Sequence, residues 1–164
     1  GYGLAAEGND VTLPDIARLA DVFYIGGTKQ GALFGEAVVI TNDNLKKDFR
    51  YGIKQNGGML AKGRLLGIQF MTLFEDGLYL ELSKHAVSLA MKIRDAFVAK
   101  GYDFLVDSPT NQQFPILPNE MIDRLAEDFK FSVWKKIDEG HTAVRFCTSG
   151  ATAPEAVDAL VAAL

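Results

Sequence analysis

The sequence predicts an α/β fold with two short strands, one long amphipathic helix and a C-terminal α+β unit. Two β-rich segments, Val22 to Ile25 and Glu36 to Ile40, flank a glycine-rich loop. Apolar residues then recur at three- and four-residue steps from Leu78 to about Ala99, which indicates a single helix with one buried face. After Gly101, short strand-like and helical segments alternate, which is typical of strands that carry helices on one face.

The segment before the long helix also contains shorter helices. A first helix is predicted to begin at Thr12, because Thr12, an early Pro and Asp15 satisfy the free N–H groups of a helix start. The strand after it, up to Ile25, is expected to be buried. Further helices are expected over Leu45 to Tyr51 and from Met59 to about Phe74, where Asp76-Gly77 interrupts the pattern.

The segment after the long helix is predicted to contain four strands and two helices. The strands are expected at Phe104 to Val106, Gln113 to Leu117, Phe131 to Ile137 and Ala143 to Thr148. One helix begins at Pro118, and the other begins with a capping box formed by Thr152 and Glu155. We predict two structural regions, residues 1–75 and residues 76–164, with the long helix in the second.

The composition excludes several classes of protein. With 164 residues and 48% hydrophobic residues the chain can bury a core, and its net charge of −4 gives no basic surface for nucleic acid or an anionic membrane. The single cysteine, Cys147, rules out an internal disulfide and fits a reducing compartment, so we expect a cytoplasmic protein. No residues have metal-ligand spacing, and no apolar run approaches the ~20 residues of a membrane span.

Lys29 is the strongest candidate for chemistry. It lies just after the first strand, in a loop with glycines on both sides, and glycine lets a backbone approach a ligand closely. Phe23, Ile25 and Phe34 supply an apolar wall, and a neutral amine can attack a carbonyl to form an imine. The pattern alone favours an ordinary loop lysine over a reactive one. A phosphate-binding loop is disfavoured, because Gln30 stands where G-x-x-x-x-G-K-[ST] requires Ser or Thr.

The segment from Asp21 to Glu36 reads DVFYIGGTKQGALFGE. It is similar, nearly residue for residue, to the lysine-bearing segment of low-specificity threonine aldolases and related β-eliminating lyases, which are fold-type-I enzymes that use pyridoxal 5'-phosphate (PLP). Four other segments resemble the same family: EGNDVTLPDIA from Glu7, FRYGIKQ from Phe49, LAKGRLLGIQF from Leu60 and VRFCTS from Val144. The resemblance therefore extends over essentially the whole chain.

The resemblance implies the C-terminal part of a fold-type-I PLP-dependent transferase fold. Residues 1–75 would then be the C-terminal part of the PLP-binding large domain and contribute two strands of its sheet. Residues 76–164 would be a long linking helix and a small α+β domain.

The resemblance also implies roles for particular residues. Lys29 matches the lysine that carries PLP as a Schiff base. Arg145 matches the arginine that pairs with the α-carboxylate of the substrate, a task that suits the two-pronged guanidinium. Thr28 is a candidate for a hydrogen bond to the cofactor, although a plain turn role is as compatible with its position. In a strand, the side chain of Arg145 should point away from the core.

Lys54 matches a position where family members often have a basic residue that helps to neutralise the cofactor phosphate, sometimes across a subunit interface. Lys62 and Arg64 are alternatives for this role. Three parts of the family's active site have no match here: a histidine that stacks on the pyridine ring, a phosphate loop, and an aspartate that pairs with the pyridine nitrogen. We therefore expect the chain to be about half of an enzyme, inactive alone, with apolar surface left exposed.

The function that these implications favour is that of a PLP-dependent lyase. It would cleave a β-hydroxy-α-amino acid such as threonine into glycine and an aldehyde, as a homo-oligomer of two or four subunits. A PLP-dependent β-eliminating lyase that acts on a related amino acid would share the same scaffold. A non-catalytic fragment that oligomerises is the alternative from another class. The residues do not identify the catalytic base.

Overall fold

The computed structural model describes all residues 1–164 and confirms the α/β class. The helices are α1 (Leu13–Leu19), α2 (Phe49–Gln55), α3 (Arg64–Phe74), α4 (Leu78–Ala99), α5 (Asn119–Asp128) and α6 (Pro154–Ala163). The strands are β1 (Val22–Gly26), β2 (Glu36–Ile40), β3 (Gln112–Gln113), β4 (Ile116–Pro118), β5 (Ser132–Lys136) and β6 (His141–Cys147). None of the helices combines the length and the apolar character that crossing a membrane requires.

Strands β1 and β2 form a two-stranded antiparallel ribbon, paired from Val22 with Ile40 to Gly26 with Glu36. Helix α1 leads into it and begins with the predicted capping box of Thr12. The prediction that the first strand is buried is wrong, since the side chain of Tyr24 is 70% exposed. The ribbon shields only alternate residues, so one of its faces remains open to solvent.

Helices α2 and α3 begin later than predicted. A short 3₁₀ turn at Asp43–Leu45 replaces the start of the predicted helix, and α2 begins only after Asp48, whose backbone is left-handed with a φ of 57°. Helix α3 starts at Arg64, not at Met59. The break before α4 is confirmed, because the residues of Asp76-Gly77 both have positive φ and end the helical repeat.

Helix α4 packs on an antiparallel sheet in which β6 pairs with β3, β4 and β5. The ring of Phe97, on α4, is completely buried and lies 5.5 Å from that of Phe146 on β6. The strand predicted near Phe104 is reduced to one bridge with Pro115. The strand predicted from Gln113 is split into β3 and β4 at Pro115, because proline has no N–H to donate to a strand ladder.

The capping box predicted for α6 is wrong. The helix begins after Ala153, which gives no side-chain cap, and the Thr152 hydroxyl instead accepts the Ser149 N–H at 2.8 Å. The buried apolar residues form two clusters: a large one between α4, α5, α6 and the four-stranded sheet, and a small one of Ala32, Leu73 and Tyr79. The division into residues 1–75 and 76–164 stays a prediction.

Candidate active site

Lys29 lies in a 3₁₀ turn, Thr28–Gln30, that directly follows β1. The N–H groups of Gln30 and Ala32 both donate to the Gly27 carbonyl at 3.0 Å, which closes the turn. Gly31 then takes a φ of 103°, a conformation that glycine adopts without strain. Gln30 is buried while Lys29 is exposed, so the turn directs the lysine amine outward.

Two tyrosine hydroxyls hold the backbone on either side of this turn. The Tyr2 hydroxyl donates to the Lys29 carbonyl at 2.7 Å, and the Tyr79 hydroxyl donates to the Gly26 carbonyl at 2.9 Å. Burial raises the pKa of the Tyr2 phenol, and the nearby backbone of Gly150 partly opposes this shift. Burial also raises the pKa of the Tyr79 phenol. Both phenols therefore remain protonated donors at neutral pH.

Lys29 lines two adjoining clefts. The first, which we call the lysine cleft, has a volume of about 410 Å³ and includes Thr28. The second, the arginine cleft, has a volume of about 450 Å³ and includes Arg145. Both clefts share Tyr2, Lys29, Asn111 and Gln112. The structure therefore brings Lys29 and Arg145 to one continuous groove, although they come from distant parts of the chain.

Arg145 is half-buried on β6, between the buried side chains of Val144 and Phe146. Its Nη1 and Nη2 atoms donate to Gln112 Oε1 and Ser132 Oγ, each at 3.4 Å. Its Nε atom is buried and has no hydrogen-bond partner. The ion pairs of the structure do not include Arg145. The guanidinium is therefore a cation without a carboxylate partner, at the edge of a cleft where an anion could meet it.

The structure does not bring every candidate residue to the groove. Thr28 lines the lysine cleft, and Lys29 and Arg145 line the arginine cleft. Lys54 lies in the last turn of α2, is exposed, and lines neither cleft. Lys62 and Arg64 are exposed just before and at the start of α3, and they also line neither cleft.

Residues of the groove that were not predicted include Tyr2, Asn111 and Gln112, and Trp134, which contacts Arg145, was not predicted either. Asn111 is buried and anchors its own loop, because its amide donates to the Thr148 carbonyl at 2.7 Å. Asn111 and Gln112 precede and begin a very short strand, so they give no periodic signal. Trp134 is the one tryptophan of the chain, and this is the sequence feature that could have indicated it as a candidate.

Two bacterial enzymes are similar to the chain in sequence. A low-specificity L-threonine aldolase from a Pseudomonas species is 42% identical over 66 residues, which are 40% of this chain and 19% of that enzyme. The low-specificity L-threonine aldolase of Pseudomonas aeruginosa is 31% identical over 108 residues, which are 65% of this chain and 29% of that enzyme. No protein-family model matches the chain.

Solved structures resemble the fold. A threonine aldolase from Leishmania major matches with a TM-score of 0.94 and 44% identity, over 98% of this chain and 47% of that one. The 8-amino-7-oxononanoate synthase of Francisella tularensis matches with a TM-score of 0.54 over 79% of this chain and 40% of that one, but at 13% identity it shows the fold alone. The chain thus spans less than half the length of each of these relatives. By sequence and by fold, the chain is therefore similar to threonine aldolases, over less than half of their length.

Proposed function

We propose that the chain is part of a PLP-dependent lyase that cleaves a β-hydroxy-α-amino acid, such as threonine, into glycine and an aldehyde. The observation that carries this proposal is that Lys29 and Arg145 line one cleft of about 450 Å³. An amine and an unpaired guanidinium at one small space are suited to an amino acid, which brings a carboxylate and a reactive carbon. The similarity of the chain to threonine aldolases supports the same chemistry.

The residues at the groove fit PLP. The amine of Lys29 is exposed at the groove and can bond covalently to the aldehyde of the cofactor. Thr28 has a hydroxyl on the same turn for a hydrogen bond to it. The Arg145 Nε is a buried donor without a partner, and such a donor calls for a specific explanation, such as a catalytic role or a bound water or ion. When bound, PLP supplies an electron sink for the cleavage of a bond at the substrate's Cα.

The residues of this chain would then act as follows. Lys29 would hold the cofactor through its side-chain amine. Arg145 binds the α-carboxylate with charge-assisted hydrogen bonds, and this fixes the orientation of the substrate's Cα–Cβ bond. No residue of this chain is assigned as the base that accepts the proton of the β-hydroxyl.

Lys54 has a separate place in the proposal. Because it lines neither cleft, we infer that it reaches the cofactor phosphate only across the interface of a homo-oligomer. Lys54→Ala should then weaken PLP binding in the oligomer, while Lys62→Ala serves as the matched control on a neighbouring exposed lysine. Equal PLP affinity in both variants, measured by equilibrium dialysis, would remove Lys54 from the site.

The first test of the proposal is chemical. The chain is mixed with PLP, its absorbance is recorded, and the product is reduced with borohydride and mapped by peptide mass spectrometry. The adduct should map to Lys29, be lost in Lys29→Ala and persist in Lys47→Ala, an exposed lysine outside the groove. A lysine-linked cofactor that survives in Lys29→Ala would contradict the assignment.

The second test concerns the reaction. We expect the 164-residue chain alone to show no turnover, because no residue here matches the family's phosphate loop or pyridine-binding aspartate. Measurable glycine formation from threonine by the chain alone would show this expectation to be wrong. In any active form of the protein, release of glycine with an aldehyde would support the proposal. Release of the β-substituent from the substrate would instead assign a β-eliminating lyase.

A further inference from the structure

The ring of Trp134 lies against the guanidinium of Arg145. The central carbon of the guanidinium is 4.9 Å from the centroid of the ring. Tryptophan attracts a cation above its face more strongly than tyrosine or phenylalanine does. Trp134 is 49% exposed and does not itself line the arginine cleft, so it contacts Arg145 from outside that cleft.

A β-bulge places Trp134 there. Strand β5 pairs with β6 so that Val133 lies opposite Val144 and Lys135 lies opposite Ala143. Trp134 is the extra residue between these two pairs, and Ser132 lies opposite Arg145. Bulges re-aim the side chain of the extra residue, and they recur next to functional sites.

A second aromatic ring supports Trp134. The centroid of the Phe114 ring is 5.2 Å from that of Trp134, with an edge-to-face angle of 63°, which is a favoured geometry for an aromatic pair. Phe114 is anchored in turn, because its carbonyl accepts the Leu105 N–H at 2.9 Å. The order Phe114, Trp134, Arg145 therefore forms a stack that ends at the groove.

The polar contacts of Arg145 are too weak to orient it alone. Both of its hydrogen bonds, to Gln112 and to Ser132, are 3.4 Å long, beyond the usual range of about 2.7–3.2 Å for N–H···O bonds. Its Nε has no partner. The ring of Trp134, 4.9 Å from the central carbon of the guanidinium, is a further contact that can hold the guanidinium in place.

We propose that Trp134 is a positioning residue that holds the Arg145 guanidinium toward the groove and thereby sets the affinity for the carboxylate of the substrate. This inference rests on the proposed function of Arg145 as the carboxylate-binding residue. Trp134 acts through Arg145 and touches no reacting atom. Because it is the one tryptophan of the chain, its fluorescence should also change when a carboxylate binds the guanidinium that lies against the ring.

The test has one arm that needs no cofactor. The Nε–Hε signal of Arg145 in a ¹⁵N NMR spectrum should be shifted by the ring current of Trp134 and should exchange slowly with water, because Nε is buried. In Trp134→Leu the shift should vanish and the exchange should become faster, whereas Trp134→Phe should retain part of both effects. Identical spectra in the wild type and Trp134→Leu would overturn the inference.

The second arm measures carboxylate affinity by calorimetric titration of the PLP-loaded protein with glycine. Trp134→Leu should raise the Kd about fivefold, Trp134→Phe should recover part of this loss, and the absorbance of the linked cofactor should stay unchanged. Val133→Ala is the matched control, since Val133 is in the same bulge and exposed. Its Kd should equal that of the wild type.

These variants distinguish the proposed role of Arg145 from the proposed role of Trp134. If Arg145→Ala leaves the glycine Kd unchanged, the proposed function of Arg145 is wrong. If Arg145→Ala weakens binding but Trp134→Leu does not, only the positioning role of Trp134 is wrong. An equal loss in Trp134→Leu and Trp134→Phe would also refute that role, because an aromatic face would then make no difference.

Discussion

Gly27 precedes the turn that carries Lys29, and the structure leaves no room there for a side chain. A Cβ at Gly27 would lie 2.8 Å from the Cβ of Ala32 and 2.9 Å from Cζ of Phe70. The backbone of Gly27 has a φ of −113°, which alanine adopts freely. Gly27→Ala is therefore a test of space alone, without backbone strain.

The size of the effect follows from these contacts. Ala32 cannot retreat without loss of its hydrogen bond to the Gly27 carbonyl, and Phe70 is buried. Overpacking of this kind costs about 1–3 kcal/mol, while the change from glycine to alanine recovers about 0.4–1 kcal/mol through the unfolded chain. We expect Gly27→Ala to lower the free energy of unfolding by about 1–2 kcal/mol.

Gly26→Ala is the matched control, because no atom lies within 4 Å of a Cβ at the adjacent Gly26. Its free energy of unfolding should stay the same or rise by about 0.4–1 kcal/mol. Both variants would be compared with the wild type by urea unfolding, followed by circular dichroism. The yield of the PLP adduct at Lys29 should also fall in Gly27→Ala, since the turn must shift. Equal stability of the two variants would refute the close packing of the turn.

Three further variants test the site and the fold. Tyr2→Phe removes a hydrogen bond to the Lys29 carbonyl and should lower the free energy of unfolding by about 0.5–1.5 kcal/mol. If the free energy is unchanged and PLP modifies Lys29 at the wild-type rate, the phenol does not hold the turn. Phe97→Ala, at a completely buried ring, should cost about 3–5 kcal/mol in urea unfolding, and a loss below about 1 kcal/mol would contradict the core. Hydrogen bonds from Thr12 lower the pKa of Asp15 below its ordinary 3.8. The contribution of Asp15 to stability is therefore present above pH 3.8. It is lost as the pH falls through the lowered pKa of the folded state. Asp15→Asn should remove this part of the acid dependence, and an NMR titration of Asp15 at or above its ordinary pKa would contradict the assignment.

The sequence predicted those elements whose ends depend on local chemistry. The cap at Thr12 and the break at Asp76-Gly77 are both confirmed, because side-chain hydrogen bonds and positive φ act within a few residues. The prediction of a capping box at Thr152 is wrong, because residues outside the helix compete for Thr152. There the hydroxyl is used by Ser149, and the Thr152 carbonyl lies 2.8 Å from the His85 ring, so contacts outside the helix decided its start.

The site was predictable only in part. Lys29 and Arg145 were nominated by resemblance to a family, and their roles remain predictions, but no residue pattern indicated that they line one cleft. Tyr2 reaches the turn across 27 positions of sequence, and Trp134 reaches Arg145 through a bulge. Neither contact leaves a periodic signal, because each depends on how distant segments meet.

The ribbon of β1 and β2 has a practical consequence. With only two strands, each strand has an outer edge whose backbone N–H and C=O groups have no strand partner. Tyr24 and Val38 lie opposite each other in the ribbon and are both more than half exposed. An open, apolar edge is a template for pairing with another molecule. We therefore expect pairing between ribbons of different molecules to limit the concentration at which the chain can be stored, and a higher melting temperature would not raise that limit.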